Sequence, residues 1–504
     1  MPPKIYLTTT LPYVNADPHI GFAFEIVTAD ILARYHRLAD REVFFNTGTD
    51  EHGLKIYRRS LDEKLAPQAY ADFYAVKFSR LKEALNLSYD RFSRTTDPHH
   101  IEAAREFWRR CAAAGDIYKK RYQIKYCIGC ELEKTDSELV ADRCPLHPTQ
   151  ALELIEEENY FFKFSKYQDQ LLKLYKPSDF QLEVGRLDFV VPKTRLNEIR
   201  VFAKRGLQDF SVSRLASKMP WGISVPDDDG QIMSVWFDAL VNYVSALGWP
   251  QDQKNFEEWW PAIQFAGKDN LRQQAAMWPA MLMSASSASR DGSAGLTPPK
   301  QIIIHGFITS GGQKMSKSLG NVIDPIELVA DYGTDAVRYF LARHVQPFED
   351  TDVTLEKFKE IYNANLANGL GNLVSRVMKL ASNHLSKPLS LSRTVLDSDS
   401  GKDSPFDSAS ATLVQEHLVH YELNQAMDEI WQKIGEGDLL IQRTEPFKLI
   451  KTNRDEALKI IADLCLRLYT ISQMLEPFLP QTSQTILDLI TNNQMPTQPL
   501  FPRK

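Results

Sequence analysis

Short β-rich runs alternate with helical ones along the first part of this 504-residue chain, and each strand runs out into polar residues; no other feature constrains its fold as much. "KIYLTTTLPY" is dense in β-branched and aromatic residues. "FEIVTADILARYHRL" follows, with Ile26, Val27, Ile31, Tyr35 and Leu38 at helical spacing and Arg34 able to snorkel. "REVFFNTGTDEHG" is a second strand with a polar end, and "KQIIIHGFIT" is an apolar one that enters the glycine-flanked loop "SGGQKMSKSLGN". Strands separated by helices imply an α/β fold with a parallel sheet. Ligands of such sheets sit beyond the carboxyl ends of the strands, where all three polar segments fall. The first turn lacks G-x-G-x-x-G, which disfavours an ordinary nicotinamide enzyme.

Residues 114–228 break this alternation with a mix of lysine, arginine, aromatics and candidate metal ligands, and read as an insertion. Beyond Asp350 the pattern turns long and helical, as in "EALKIIADLCLRLYTISQMLEPFL", and implies a bundle. "LSLSRTVLDSDSGKDSPFDSAS" interrupts it as an expected mobile loop, and "SASSASRDGSAGLTPP" is a second such segment. The N-terminus has no secretory pattern and no stretch approaches the length of a membrane span, so a cytoplasmic protein is expected. Five cysteines, three of them clustered, fit a reducing compartment rather than a disulfide framework. A net charge of -6 excludes a nucleic-acid binder that works through a global basic field. Residues 351–504 carry 16 Lys plus Arg against 19 Asp plus Glu, so recognition there has to be local.

Three constellations carry chemistry. "KMSKS", Lys314 to Ser318, sets two ammonium groups and two hydroxyls in a loop that glycines let move, a set suited to charge building on a polyphosphate. "PHIGF" places His19 just ahead of a helix, whose N-terminus offers free N–H groups and positive partial charge to an anion. On the residues alone, a surface basic loop and a capping histidine account for each of these separately. "YCIGCELEKTDSELVADRCPLHP" spaces Cys127, Cys130, Cys144 and His147 as C-x2-C and C-x2-H, the ligand set of a closed, structural zinc knuckle. Cys111 and Cys465 lie in helical patterns and read as core.

Taken together, "PHIGF" and "KMSKS" resemble the signature pair of class I aminoacyl-tRNA synthetases, the first usually written HIGH. "LPYVNADPHIG", "TGTDEHG", "VWFDALVNYVSALGWP", "AGKDNLR" and "SLGNVIDP" look like the methionyl-tRNA synthetase family, over essentially the whole chain. That resemblance implies activation of L-methionine with ATP and Mg2+ to methionyl-adenylate, release of pyrophosphate, and transfer to the 3' end of tRNA(Met). It also implies a Rossmann-like catalytic domain, 1–113 and 229–325, split by a zinc-binding connective insertion, 114–228. A linker or stem-contact region, 326–350, and an α-helical anticodon-binding bundle, 351–504, would follow. By the same resemblance His19, Lys314 and Lys317 are catalytic, and Gly21, Ser316 and Ser318 join them on ATP. Leu11, Tyr13, Trp236, Leu240, Tyr243, Asn270 and Gln274 would line the methionine pocket, with Asp50 on the substrate ammonium. Asn372, Arg376 and Phe447 would read the anticodon. On residues alone, Trp236 and Tyr243 share one helix face as core, Asp50 is a turn or cap residue, Asn372 is a bundle-core asparagine and Arg376 a surface arginine.

The chain departs from the family pattern at Phe22, in place of the second histidine, at Phe447, where tryptophan is usual, and at Gln274, where a pocket histidine is common. Asn270 stands at a neighbouring lining position. A ring face offered to the nucleotide or packed beneath the loop is the expected role of Phe22. A synthetase for another amino acid and an inactive tRNA-binding relative are the alternatives left open. A chain ending at Lys504 without a further tRNA-binding domain is expected to act as a monomer.

Overall fold

The computed structural model describes residues 4–134, 138–176, 188–287, 295–315, 320–386 and 408–504. Its contacts divide it into two compact units, the first Met1–Pro18, Glu42–Lys82 and Tyr89–His305, the second His19–Arg41, Glu83–Ser88 and Gly306–Lys504.

The first unit is built on a six-stranded parallel sheet in the order Arg91–Arg94, Glu42–Thr49, Lys4–Thr8, Ile263–Gly267, Gln301–His305, Val190–Val191. Central strands of such a sheet are covered on both faces, which is why Ile302, Ile303 and Ile304 run without alternation and are all buried. Aromatic side chains anchor the core. Phe107 lies 5.5 Å from Trp278, 5.7 Å from Phe237 and 6.1 Å from Trp249, two of these pairs edge-on. Each such ring buries on the order of 150–250 Å2, so one cluster commits a large share of the apolar surface.

The stretch read as an insertion is mostly antiparallel. Leu132–Lys134, Ile117–Cys127, Glu153–Phe162 and Phe210–Ser211 make one sheet, and Ser224–Val225, Asp228–Met233 and Ser213–Leu215 a second. Within 114–228, however, Val190–Val191 rejoins the central sheet as its edge strand, beside Gln301–His305. Two valines are too short a run to announce a strand; the neighbouring edge supplies the partner. Of "SASSASRDGSAGLTPP", the first four residues finish the helix Trp278–Ser287, and 288–294 lie outside the described residues. The serine-rich stretch from 389 to 407 also lies outside them.

In the second unit the helix Ile20–Leu38 follows His19. Asp30, on that helix, is fully buried with Arg338, whose Nη1 lies 2.8 Å away. The same guanidinium donates to the carbonyls of Leu85, Pro477 and Phe478. A buried charge is tolerable when paired and bonded in this way. Gly371–His384, Leu423–Thr444, Arg454–Leu475 and Pro480–Asn492 form the expected bundle. On Arg454–Leu475, Ala457, Ile461, Leu464, Cys465, Leu468 and Leu475 make the buried stripe of an amphipathic helix. Cys111 is buried as well. Among the described residues no helix is long and apolar enough to cross a membrane.

Candidate active site

In the first unit, the exits of two adjacent strands hold one another. Asp50 N–H donates to Pro12 O at 2.9 Å and Val14 N–H to Asp50 O at 3.2 Å, which sets Tyr13 beside Asp50. Asp50 is 2% exposed, and its Oδ1 has no hydrogen-bond partner among the described residues. Burial, then the nearby Asp238 carboxylate, raises its carboxyl well above the ordinary range. The Tyr13 hydroxyl is also buried without a partner among the described residues. Burial, then Asp50, pushes it upward. An acid that has been desolvated and left an open oxygen suits a cationic ligand group.

Trp236 and Tyr243 do not share one helix. The chain makes two short helices, Val235–Ala239 and Asn242–Ser245, separated by a turn. Trp236 is half-buried and its indole N–H donates to Cys130 O at 3.2 Å, while Leu240 and Tyr243 are buried. Gln274 is buried in a π-helical stretch, Gln273–Met277, and its Nε2 donates to Tyr243 Oη at 2.7 Å. Its Oε1 has no partner among the described residues. Trp278 lies 5.9 Å from the Tyr243 ring. Leu11 and Asn270 are half-buried.

In the second unit His19 is the N-cap of Ile20–Leu38, and its Nδ1 accepts from Gly21 N–H at 3.1 Å. An accepting Nδ1 places the proton of the neutral ring on Nε2. A Cβ at Gly21 would stand 2.8 Å from the His19 ring, so this capping geometry requires glycine. The expectation of free N–H groups at this helix start is overturned. Ile20 N–H donates to Ile323 O, Gly21 N–H to the His19 ring and Phe22 N–H to His19 O. A self-capping histidine and a passing loop have used the donors, and the positive end of the helix dipole remains. Phe22 stacks on the His19 imidazole at 4.3 Å and 29°. It braces the histidine from within the motif. Lys314 ends the short strand Gln313–Lys314, paired with Ile308–Ser310, which is in turn parallel to Thr351–Asp352. Asp352 accepts from Gly312 N–H at 2.7 Å and from the Thr309 hydroxyl at 3.0 Å, tying down the base of the loop. Ser316, Lys317 and Ser318 lie outside the described residues.

The four knuckle ligands converge. Their donor atoms all lie within 4.8 Å of one another. Cys130 Sγ is 3.5 Å from Cys144 Sγ and 3.2 Å from His147 Nδ1, and Cys127 Sγ is 3.7 Å from the same nitrogen. A tetrahedral ion with Zn–S bonds of about 2.3 Å needs ligand atoms roughly 3.7 Å apart, so the residues fit zinc. The hydrogen bond between Cys127 and Cys130 holds the Cys127 thiol low and pushes the Cys130 thiol up, so without an ion the two share a proton. A Cβ at Gly129 would meet the His147 ring at 2.5 Å, so glycine lets the imidazole close on the site.

A model of "tRNA synthetases class I (M)" matches residues 5–153 and 133–378. A methionine–tRNA ligase of Thermosynechococcus vestitus is 41% identical over 96% of this chain and 90% of its own length. One from Rickettsia typhi is 37% identical over 96% and 92%. A Mycobacterium tuberculosis methionyl-tRNA synthetase, solved in complex with methionyl-adenylate, superposes with a TM-score of 0.84 at 34% identity, covering 99% of this chain and 95% of that one. The chain belongs to the class I methionyl-tRNA synthetases.

As the motifs of a class I synthetase imply, the α/β part precedes a helical bundle. On Gly371–His384 of this synthetase, Asn372 is exposed, whereas Arg376 is half-buried and its Nη1 contacts Asp438 Oδ1 at 2.7 Å. Phe447 is 48% exposed on the short helix Pro446–Leu449, with the Lys448 ammonium 5.9 Å from its ring centroid. Sequence reasoning missed the buried polar residues that surround Asp50 in this synthetase. Glu51 takes a two-point ion pair from Arg94, at 2.7 and 2.8 Å, and Trp221 N–H donates to its carbonyl. Asp238 lies between His52 and His100. The one signal of them in the sequence is an acid inside the apolar run "VWFDALVNY", since such a group must find partners when buried.

Proposed function

We propose that the chain is a methionine–tRNA ligase: it activates L-methionine with ATP and Mg2+ to methionyl-adenylate, releases pyrophosphate, and passes the methionyl group to the 3' end of tRNA(Met). The observation that carries this reading is the buried Asp50 carboxylate with its open oxygen. An ammonium placed there gains a charge-assisted bond, and the substrate's own carboxylate is left to attack the α-phosphorus. Leu11, Tyr13, Trp236, Leu240, Tyr243, Asn270 and Gln274 receive the thioether side chain, which packs well on aromatic edges. His19, through Nε2–H, with Lys314 and Lys317, stabilises charge developing on the phosphates; Gly21, Ser316 and Ser318 assist in holding ATP. One zinc ion on Cys127, Cys130, Cys144 and His147 holds the knuckle's shape. Asn372 and Arg376 bond to splayed anticodon bases and Phe447 stacks on one; Arg376 exchanges Asp438 for the base to do so. The protein works as a monomer in the cytoplasm.

Gln274 Oε1 favours a second reading, a substrate side chain that carries a donor. Turning the amide over lets Tyr243 donate to Oε1 and leaves Nε2 to face a thioether, which suits methionine equally. Pyrophosphate exchange into ATP decides: methionine is expected to drive it, and homoserine, glutamine and cysteine are not. Exchange driven better by one of the latter replaces methionine in this reading, and no exchange with any of them removes it.

A further inference from the structure

His52 lies two residues beyond Asp50, in the turn that leaves the strand Glu42–Thr49. Its ring Nδ1 lies 2.7 Å from Asp238 Oδ2. The other oxygen of Asp238 is 2.8 Å from His100 Nε2, and His100 Nδ1 is 2.9 Å from Ser245 Oγ. His52, His100, Asp238 and Ser245 are all at least nine-tenths buried. A carboxylate only accepts, so neutral His52 carries its proton on Nδ1 and neutral His100 on Nε2; His100 Nδ1 then accepts from the Ser245 hydroxyl. Every contact in the chain has one donor and one acceptor. On the other side of the turn, Glu51 is clamped by Arg94 and accepts from the Thr49 hydroxyl at 2.6 Å. Of the three side chains in Asp50-Glu51-His52, the last two are thus tied down, and Asp50 alone keeps an unpartnered carboxylate oxygen among the described residues.

We propose that Asp238 is a positioning residue for the amino-acid substrate: by gripping the His52 ring it anchors the turn Asp50-Glu51-His52 and so holds the Asp50 carboxylate in place. Asp238 lies on the same short helix as Trp236, so one buried acid registers both an ammonium-binding group and an aromatic wall. The grip spans 186 residues of sequence. Two imidazole N–H groups face Asp238: burial alone would raise its carboxyl, yet His52 and His100 hold it below the ordinary range. The inference rests on the reading that Asp50 holds the substrate ammonium.

The test is methionine-dependent pyrophosphate exchange by the full chain, with KM for methionine and for ATP read separately and a thermal melt for each variant. Asp50→Asn is the reference; a methionine KM unmoved there removes the role of Asp50 and the ground of the proposal together. With Asp50→Asn weakened about a hundredfold, Asp238→Asn is expected to raise the methionine KM about tenfold and the ATP KM less than about twofold, the scale of a lost charge-assisted bond. The double variant is expected to be no worse than Asp50→Asn, since both act on one interaction. His52→Ala should repeat the effect of Asp238→Asn, and His52→Asn, whose amide sets a donor where Nδ1 stands, should restore the methionine KM. Methionine KM values unchanged in Asp238→Asn and His52→Ala, equal rises in both KM values, or effects that multiply in the double variant overturn the proposal and leave the Asp50 reading standing. If Asp238→Asn fails to fold, the His52→Ala and His52→Asn pair decides alone.

Discussion

Two jobs are combined in His19, and a pair of substitutions separates them. Nδ1 caps the helix through Gly21 N–H, and the proton this leaves on Nε2 is the one available to a phosphoryl oxygen. His19→Ala removes both. Loss of a cap costs about 1 kcal/mol of stability, and loss of the stack with Phe22 roughly another 0.5–1.5 kcal/mol. Loss of one preorganised donor to the transition state adds about 2–4 kcal/mol to the activation barrier, which is roughly 30-fold to 900-fold in rate. His19→Asn keeps an acceptor at the cap and has nothing at the position of Nε2. It should melt within about 1 kcal/mol of the parent protein while losing the same factor in rate. Phe22→His, which keeps a flat ring against His19, should change the rate by less than about threefold, the scale of a stacking difference. Single-turnover formation of methionyl-adenylate, followed alongside thermal unfolding, reads the two effects independently. A full rate in His19→Asn would show that the capping nitrogen is all that matters. A parent protein without methionine-dependent exchange that acquires it in Phe22→His would show that one histidine is insufficient.

Lys317→Ala should slow adenylate formation by about 10² or more with little change in methionine affinity, and an unchanged single-turnover rate would remove its role. Metal analysis should find one zinc per chain and much less in Cys144→Ser; a full complement in that variant, or none in unchelated protein, contradicts the knuckle assignment. Phe447→Ala should cost about 1–3 kcal/mol of tRNA binding and leave pyrophosphate exchange intact, whereas equal losses in both would point to damage of the bundle. Asp50 has a folded-state carboxyl raised above its unfolded value, so the folded protein holds the extra proton and stability falls as pH rises from about 4 through the raised value. Asp50→Asn should therefore raise the melting temperature at neutral pH, with the gain vanishing below about pH 4, even as methionine activation is lost. A gain that is the same at both pH values would show that ionisation of Asp50 is not its source.

Features whose physics is local are legible in the order of the residues. The four ligands of the knuckle come in two tight pairs, each within one turn of chain, so their spacing alone implies convergence, and the sulfur and nitrogen atoms do converge. The stripe on Arg454–Leu475 repeats with the helix, and Ile302, Ile303 and Ile304 in the strand Gln301–His305 run apolar without alternation because both faces are covered. His19 ahead of a helical run is readable as a helix start for the same reason. What neighbouring residues cannot decide is who satisfies whom. The donors at the start of Ile20–Leu38 look open in sequence, and the carbonyl of Ile323, about three hundred residues away, accepts one of them. Val190–Val191 is a strand only because an edge of the central sheet is there to pair with it. The Asp50 carboxylate keeps an open oxygen because Glu51 has found Arg94 and His52 has found Asp238. Burial makes an unpaired polar group expensive, so partners are chosen across the whole fold, and that choice exists only once the chain has closed on itself.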